Sequence, residues 1–260
     1  MKNKNELTYW FSDKEQIFKD FSNYTIDSDN KQQRRIFIDR KSDLLFVAHL
    51  DTVLAPEIHG KITNRIYAAG LDDRLGCHIA YSLSEKLNVD LLLTDNEETG
   101  KSTAQYHICK NYNWIAEFDR AGTDAVTYEL DNRKFLTALK KHFKIGIGSF
   151  SDIAFLNTDA CCVNIGIGYY DAHSQYSFFE PKALQSQIFK FLKFHKQNKN
   201  IKFRQDLEKN DYAFISNYSN NNIIFGQSQC DICGSYYDNS DLFDTDKGIL
   251  CENCITLVKF

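Results

Sequence analysis

The chain has 260 residues, 43% of them hydrophobic and 25% charged, with a formal net charge of -4. Those proportions describe a soluble globular protein and exclude a disordered or fibrous one, and a mildly acidic chain is not built to neutralise phosphates, so nucleic acid is not an expected partner. No apolar run reaches the ~18 residues of a membrane span, and the start from Met1 to Leu7 lacks an apolar signal core. Eight cysteines without such a leader point to a reducing, cytoplasmic setting, where close pairs bind metal rather than form disulfides.

In chain order, Ser12 and Glu15 read as a capping box for a short helix with Ile17, Phe18 and Phe21 on one face. Strands are predicted at Arg35 to Ile38 and Asp43 to Ala48, the second continuously apolar as for a strand buried on both faces. Another strand falls at Ile66 to Ala69. A helix from Asp72 to Leu87 carries Leu75, Ile79, Leu83 and Leu87 at i, i+4 spacing. Strand Asp90 to Leu93, helix Gly100 to Lys110, strand Trp114 to Phe118 and helix Asn132 to His142 follow. Ile145 to Gly148 and Cys162 to Ile167 read as strands, with a short helix capped at Ser151-Asp152 between them. Pro181 opens a last amphipathic helix through Ala183, Ile188, Phe191 and Leu192. The alternation predicts a three-layer α/β fold: a mixed, mostly parallel sheet with helices on both faces. Residues 1–196 form that domain, 197–229 a polar, Asn-rich linker, and 230–260 a separate small module.

Chemistry-bearing residues recur at the carboxyl ends of the predicted strands, the edge where open α/β sheets place their sites. They are His49-Leu50-Asp51, Gly70-Leu71-Asp72-Asp73-Arg74-Leu75-Gly76, Glu97-Glu98-Thr99-Gly100, Glu117-Phe118-Asp119-Arg120 and His173. Imidazole with carboxylate suits Zn²⁺, Co²⁺ or Mn²⁺. His49, Asp72, Glu98, Asp119 and His173 are therefore candidate ligands for two divalent ions, with Asp72 between them. Such a pair acidifies a shared water and polarises a carbonyl. Glu97, beside Glu98, is placed to act as general base, and Asp51, two residues from His49, to accept the imidazole's other N–H. His59, His78, His107, His142 and His195 read as ordinary structural histidines, Asp73 and Arg74 as a helix-start salt bridge, and Cys161 and Cys162 as small buried residues.

His-x-Asp, Gly-x-Asp-Asp-x-x-Gly, Glu-Glu-x-Gly, a later Asp and a late His, in that order over residues 35–195, resemble the co-catalytic dizinc exopeptidases. That superfamily includes the Aeromonas-type leucyl aminopeptidase, peptidase T and carboxypeptidase G2. The resemblance implies that His49, Asp72 and Asp119 hold one metal, that Asp72, Glu98 and His173 hold the other, and that Glu97 is the catalytic base. Only 20 residues separate Asp51 from Asp72 and 53 separate Asp119 from His173, so the inserted domain of two-domain members has no room here.

Cys230-x-x-Cys233 and Cys251-x-x-Cys254, 17 residues apart, have the spacing of a tetrahedral Cys₄ zinc site and resemble a zinc ribbon. In 31 residues the core is too small to hold itself, so a structural Zn²⁺ would supply the folding free energy. Six acidic residues against two lysines in this module argue against phosphate contact.

The resemblance implies a metallo-exopeptidase, first an aminopeptidase on short peptides. A carboxypeptidase or a deacylase of acylated amino acids on the same metals is the second reading. A zinc-ribbon binding protein with an inert α/β scaffold is the third. A free α-amino group needs an acid or tyrosine near the metals (Tyr169, Tyr170, Asp171), and a free carboxylate needs a cation (Arg74, Arg120); both kinds of candidate are present. No feature of the pattern fixes the oligomeric state.

Overall fold

The computed structural model describes residues 3–27 and 33–206, and the backbone of four strands between 227 and 251. The chain divides into two compact units, Met1–Asn210 and Asp211–Phe260.

In the first unit, α1 (Leu7–Trp10), α2 (Lys14–Asp20), β1 (Thr25–Ile26), β2 (Arg35–Ile38) and β3 (Leu44–His49) lead into a hairpin of β4 (Glu57–Ile62) and β5 (Arg65–Ala69). Then come α3 (Leu71–Leu87), β6 (Asp90–Thr94), β7 (Trp114–Arg120), β8 (Ala125–Val126), α4 (Arg133–Leu139), β9 (Cys161–Gly166), β10 (Tyr169–Tyr170), β11 (Phe178–Phe179) and α5 (Pro181–Asn198). Seven strands form the central sheet in the order β1-β2-β6-β3-β7-β9-β8. The β6-β3-β7-β9 centre is parallel, and the edges are antiparallel. The chain leaves β3 for β6 on one side and later reaches β7 on the other, so β3 lies at the switch point where such sheets open a crevice.

Alternate strand residues enter two separate cores, the behaviour of a sheet covered on both faces. Leu44, Phe46, Leu91, Leu93, Trp114, Ala116, Cys161 and Val163 join the core with α1, α2, α3, α4 and α5. Leu45, Val47, Leu92, Ile115 and Cys162 face the other way, against Ala104, Ile153 and Leu156. That second layer contains the 3₁₀ helices Thr103–Tyr106 and Asp152–Phe155. The α-helix expected over 100–110 is absent. Ser102 caps one turn, and the Tyr106 carbonyl then accepts from the Arg35 guanidinium at 2.7 Å instead of continuing a ladder. The strand expected at 145–148 is reduced to one bridge between Ala125 and Ile145. The N-cap of α2 is Asp13, whose carboxylate takes the Glu15 N–H at 2.8 Å, rather than Ser12. Past the expected end at 196, Phe203 is still in the core and Arg204 bridges Ala160.

Strands β5, β4, β10 and β11 make a second, antiparallel sheet of order β10-β11-β5-β4. Its β10–β11 connection carries His173. In the second unit, β12 (Gln227–Gln229) pairs with β13 (Tyr236–Asp238), and β14 (Leu242–Thr245) with β15 (Gly248–Cys251), both antiparallel. Cys230, Cys233 and Cys254 lie outside the described residues, as does the side chain of Cys251. No helix among the described residues is long and apolar enough to cross a membrane.

Candidate metal centre

Four parallel strands end at one edge, and their ends bring the sequence-predicted residues together. His49 is the last residue of β3, Glu97 and Glu98 follow β6 on the 3₁₀ turn Glu97–Thr99, and Asp119 lies near the end of β7. Asp72 opens α3 with an extended backbone (φ -81°, ψ 105°) that interrupts the first helical turn. Gly70 supports this entry with φ +71°, where a side chain would be strained and would press on Pro56. At Gly76 a Cβ would run into the Asp73 carboxylate and the Phe118 carbonyl, so glycine lets α3 sit hard against β7. These two contacts explain both glycines of the Gly-x-Asp-Asp-x-x-Gly motif.

Asp72 stands between the two imidazoles. Its Oδ1 is 3.3 Å from His49 Nε2, and its Oδ2 is 3.2 Å from His173 Nε2. Asp119 Oδ1 lies 3.4 Å from His49 Nε2, and Glu98 Oε2 lies 2.9 Å from His173 Nε2. Glu97 Oε2 is 3.7 Å from His49 Nε2. Donor atoms of His49, Asp72 and Glu98, and again of His49, Glu97 and Asp119, lie within 4.8 Å of one another.

Asp51 meets His49 Nδ1 through both its main chain and its side chain. The acceptor closest to His49 Nδ1 is the Asp51 backbone carbonyl at 3.0 Å, with the carboxylate at 3.4 Å. The carboxylate also accepts the N–H groups of Glu97 and Glu98 at 3.1 and 3.0 Å. One residue thus orients the imidazole through its main chain and the Glu97-Glu98 turn through its side chain. Asp73 and Arg74 make no salt bridge with each other. Asp73 accepts the His49 backbone N–H at 3.2 Å, and the buried Arg74 donates to the carbonyls of Trp10 and Ser12 at 2.9 and 3.3 Å.

Beneath the cluster lies a polar layer that sequence reasoning missed. Asn164 on β9 accepts the N–H groups of Asp119 and Arg120, each at 3.1 Å. Ser151 does not cap the following turn; its hydroxyl donates to Glu117. Asp152 accepts hydroxyls from Thr94 and Ser102. Glu117 and Asp152 are both fully buried. Burial, reinforced by Asp152, Asp119 and Glu97, pushes the Glu117 carboxyl well above its usual range. For Glu117 a sequence signal existed: an acid two residues before Asp119 on one strand shares its face.

The carboxylates and imidazoles of the site shift one another's ionisation. Burial raises Glu97 to about 9, with Asp119, Asp152 and Asp72 adding to it against His49. Asp119 is raised to about 7 by burial and then by Asp72. Burial favours a neutral His49 ring, yet Asp119, Asp51 and Asp72 push its pKa well above the imidazole value. His173 is raised to about 10 by Asp72 and Glu98. The buried atoms His49 Nε2 and Glu98 Oε1 have no hydrogen-bond partner. Unpaired buried polar atoms are costly, and a divalent ion among these oxygen and nitrogen donors would satisfy them. The residues present fit two such ions.

With both imidazoles protonated at pH 7, and Glu97 and Asp119 raised to about 9 and about 7, zinc uptake must expel at least two protons, and apparent affinity must rise with pH. Calorimetric titration in buffers of different ionisation enthalpy reads the number; proton-neutral uptake would contradict the assignment. The metal-free fold has the opposite pH dependence. His173, raised from 6.5 to about 10, contributes stability that is complete below 6.5 and lost as pH rises towards 10. Glu97, raised from 4.5 to about 9, acts in the same direction, since the unfolded chain releases its proton first. Chelator-treated protein should therefore melt lower at pH 9 than at pH 6, and zinc should remove that fall.

No family model matches this chain, and no curated protein matches it. Solved structures do. It is similar to the aminopeptidase PepT of Bacillus cereus, with 12% identity and a TM-score of 0.47 over 74% of this chain and 98% of that one. It is also similar to a tripeptidase of Staphylococcus aureus, with 11% identity and a TM-score of 0.47 over 76% and 99%. A third is an aminopeptidase of the archaeon Desulfurococcus kamchatkensis, with 18% identity and a TM-score of 0.44 over 56% and 52%.

Proposed function

We propose that this protein is a metal-dependent exopeptidase, an aminopeptidase that hydrolyses the first amide bond of short peptides. The observation that carries the reading is the site itself: Asp72 set between two imidazoles, with Asp119 and Glu98 on either side and Glu97 facing His49. His49, Asp72 and Asp119 would hold one ion, and Asp72, Glu98 and His173 the other. Zn²⁺ is the first expectation, with Co²⁺ or Mn²⁺ as substitutes. When bound, the two ions acidify the attacking water and polarise the substrate carbonyl. Glu97 takes the proton from that water and returns it to the leaving amine. Asp51 holds Glu97 at its task by its bond to the Glu97 N–H.

The choice of a free amine over a free carboxylate rests on the two arginines. Arg120 is committed to Asp124, at 2.6 and 2.8 Å, and Arg74 is buried under Trp10 and Ser12. Among the described residues, the cationic side chains paired with the site carboxylates are His49 and His173 alone. Neither guanidinium is free to take a substrate carboxylate. Free-amine dipeptides should therefore be cleaved, and their N-acetylated forms should not. Preferential cleavage of the blocked forms would favour the carboxypeptidase or deacylase reading.

The four cysteines Cys230, Cys233, Cys251 and Cys254 would hold a third, structural zinc. Elemental analysis of zinc-dialysed protein is expected to give about three equivalents. About one, lost on mutating Cys230, would leave the α/β site empty and favour a binding module.

A further inference from the structure

The segment 95–101 carries both Glu97 and Glu98, and its two feet are Thr94, the last residue of β6, and Ser102, the cap of the next 3₁₀ turn. Both feet bond to one buried side chain. Asp152 Oδ2 accepts the Thr94 hydroxyl and Asp152 Oδ1 the Ser102 hydroxyl, across 58 and 50 residues of sequence. Asp152 is fully buried, and its carboxylate has no lysine or arginine partner among the described residues. Burying a carboxylate is expensive, and the nearby His49 charge and the two hydroxyls offset that cost.

Closing the loop is not what Asp152 adds. The feet are already tied to each other: the Asp95 N–H donates to Thr103 Oγ1, and the Thr103 N–H donates to the Asp95 carbonyl, both at 2.9 Å. Asp152 comes from a separate 3₁₀ turn, packed in the same layer as the turn that Ser102 caps. Its own turn is anchored by Ile153 in the second core, and its neighbour Ser151 donates to Glu117, two residues before Asp119 on β7. The loop with Glu97 and Glu98 is thus registered against the strand with Asp119 through Asp152 and Ser151. Asp51 fixes the tip of the loop and Asp152 its base.

We propose that Asp152 is a positioning residue of the metal centre: by holding Thr94 and Ser102 it sets the depth at which Glu97 and Glu98 face His49, Asp72 and Asp119. It touches neither substrate nor ions. The activity arm of the test rests on the exopeptidase reading, and the spectroscopic arm does not.

Asp152→Asn keeps the size of the side chain and one acceptor oxygen, but its amide nitrogen cannot accept the second hydroxyl. The paired change Thr94→Val with Ser102→Ala removes both donors and keeps the acid. Each protein is loaded with Co²⁺ and its visible absorption recorded. Each zinc form is then assayed on the free-amine dipeptide that the unaltered protein cleaves fastest. Both variants are expected to take up the ions, to show a shifted cobalt band, and to lose about 10- to 100-fold in kcat with KM changed less than about twofold. Asp152→Asn should fall less than Asp152→Ala, because one bond survives. A folded variant with an unchanged cobalt spectrum and unchanged kcat overturns the proposal. If Asp152→Asn does not fold, Thr94→Val alone decides on the same two readouts, since Ser102 also caps the next turn. If the unaltered protein cleaves no dipeptide, the exopeptidase reading falls while the cobalt comparison still tests the clamp.

Discussion

Glu97→Gln should leave the fold and the bound metals in place and lower kcat by about three orders of magnitude. The substitution is isosteric. The bond from the Glu97 backbone to Asp51 Oδ1 is untouched, because it uses the N–H and not the side chain. What disappears is a group able to take a proton and give it back. KM should move little, since Glu97 acts on the reacting water and not on the ground-state peptide. The same variant decides a second question. Glu97 lies near enough to His49 and Asp119 to serve as a ligand itself. If Glu97→Gln loses an equivalent of zinc, Glu97 is a ligand and the base must be sought elsewhere. If metal content and rate both stay unchanged, its role is refuted outright.

The candidate ligands were legible because each interrupts an apolar pattern at the end of a strand. His49 closes Leu44–Ala48, Glu97 and Glu98 follow Leu91–Thr94, and Asp119 follows Trp114–Phe118, so the period of the sheet points to one edge. His173 was legible only by its place in the motif order; it lies on a connection of the smaller sheet. The residues that support the ligands left no such mark. Ser151 and Asp152 carry the local pattern of a helix cap, and only distant partners, Glu117, Thr94 and Ser102, take them out of that role. Asp73 and Arg74 have the sequence of an ion pair, but the close packing at Gly76 buries Asp73 beneath β3 and turns Arg74 towards Trp10. Tertiary hydrogen bonds won over local propensity again at Tyr106, where Arg35 takes the carbonyl of the aborted helix. Local signals predicted where chemistry would collect. They could not predict what holds it in position, because that depends on hydrogen bonds made across more than 20 residues.

Asp72→Ala should remove both active-site ions at once, from about three zinc equivalents to about one, with the cysteine site retained. The geometry makes this a sharper test than any other ligand change. Asp72 divides its two oxygens between His49, at 3.3 Å, and His173, at 3.2 Å, whereas Asp119 faces only the first imidazole and Glu98 only the second at such distances. Asp119→Ala should therefore weaken one ion more than the other, and Glu98→Ala the reverse. Deleting Asp72 also changes the electrostatics of what remains. It takes away the one charge that both raises Asp119 and holds the proton on His173. Fewer protons then compete for the site in Asp72→Ala, so lost zinc cannot be blamed on protonation and must reflect the lost bridge. Unchanged occupancy would mean that the two imidazoles hold their ions independently. A loss of one equivalent would assign Asp72 to a single ion and leave the other to His49 with Asp119 or to His173 with Glu98.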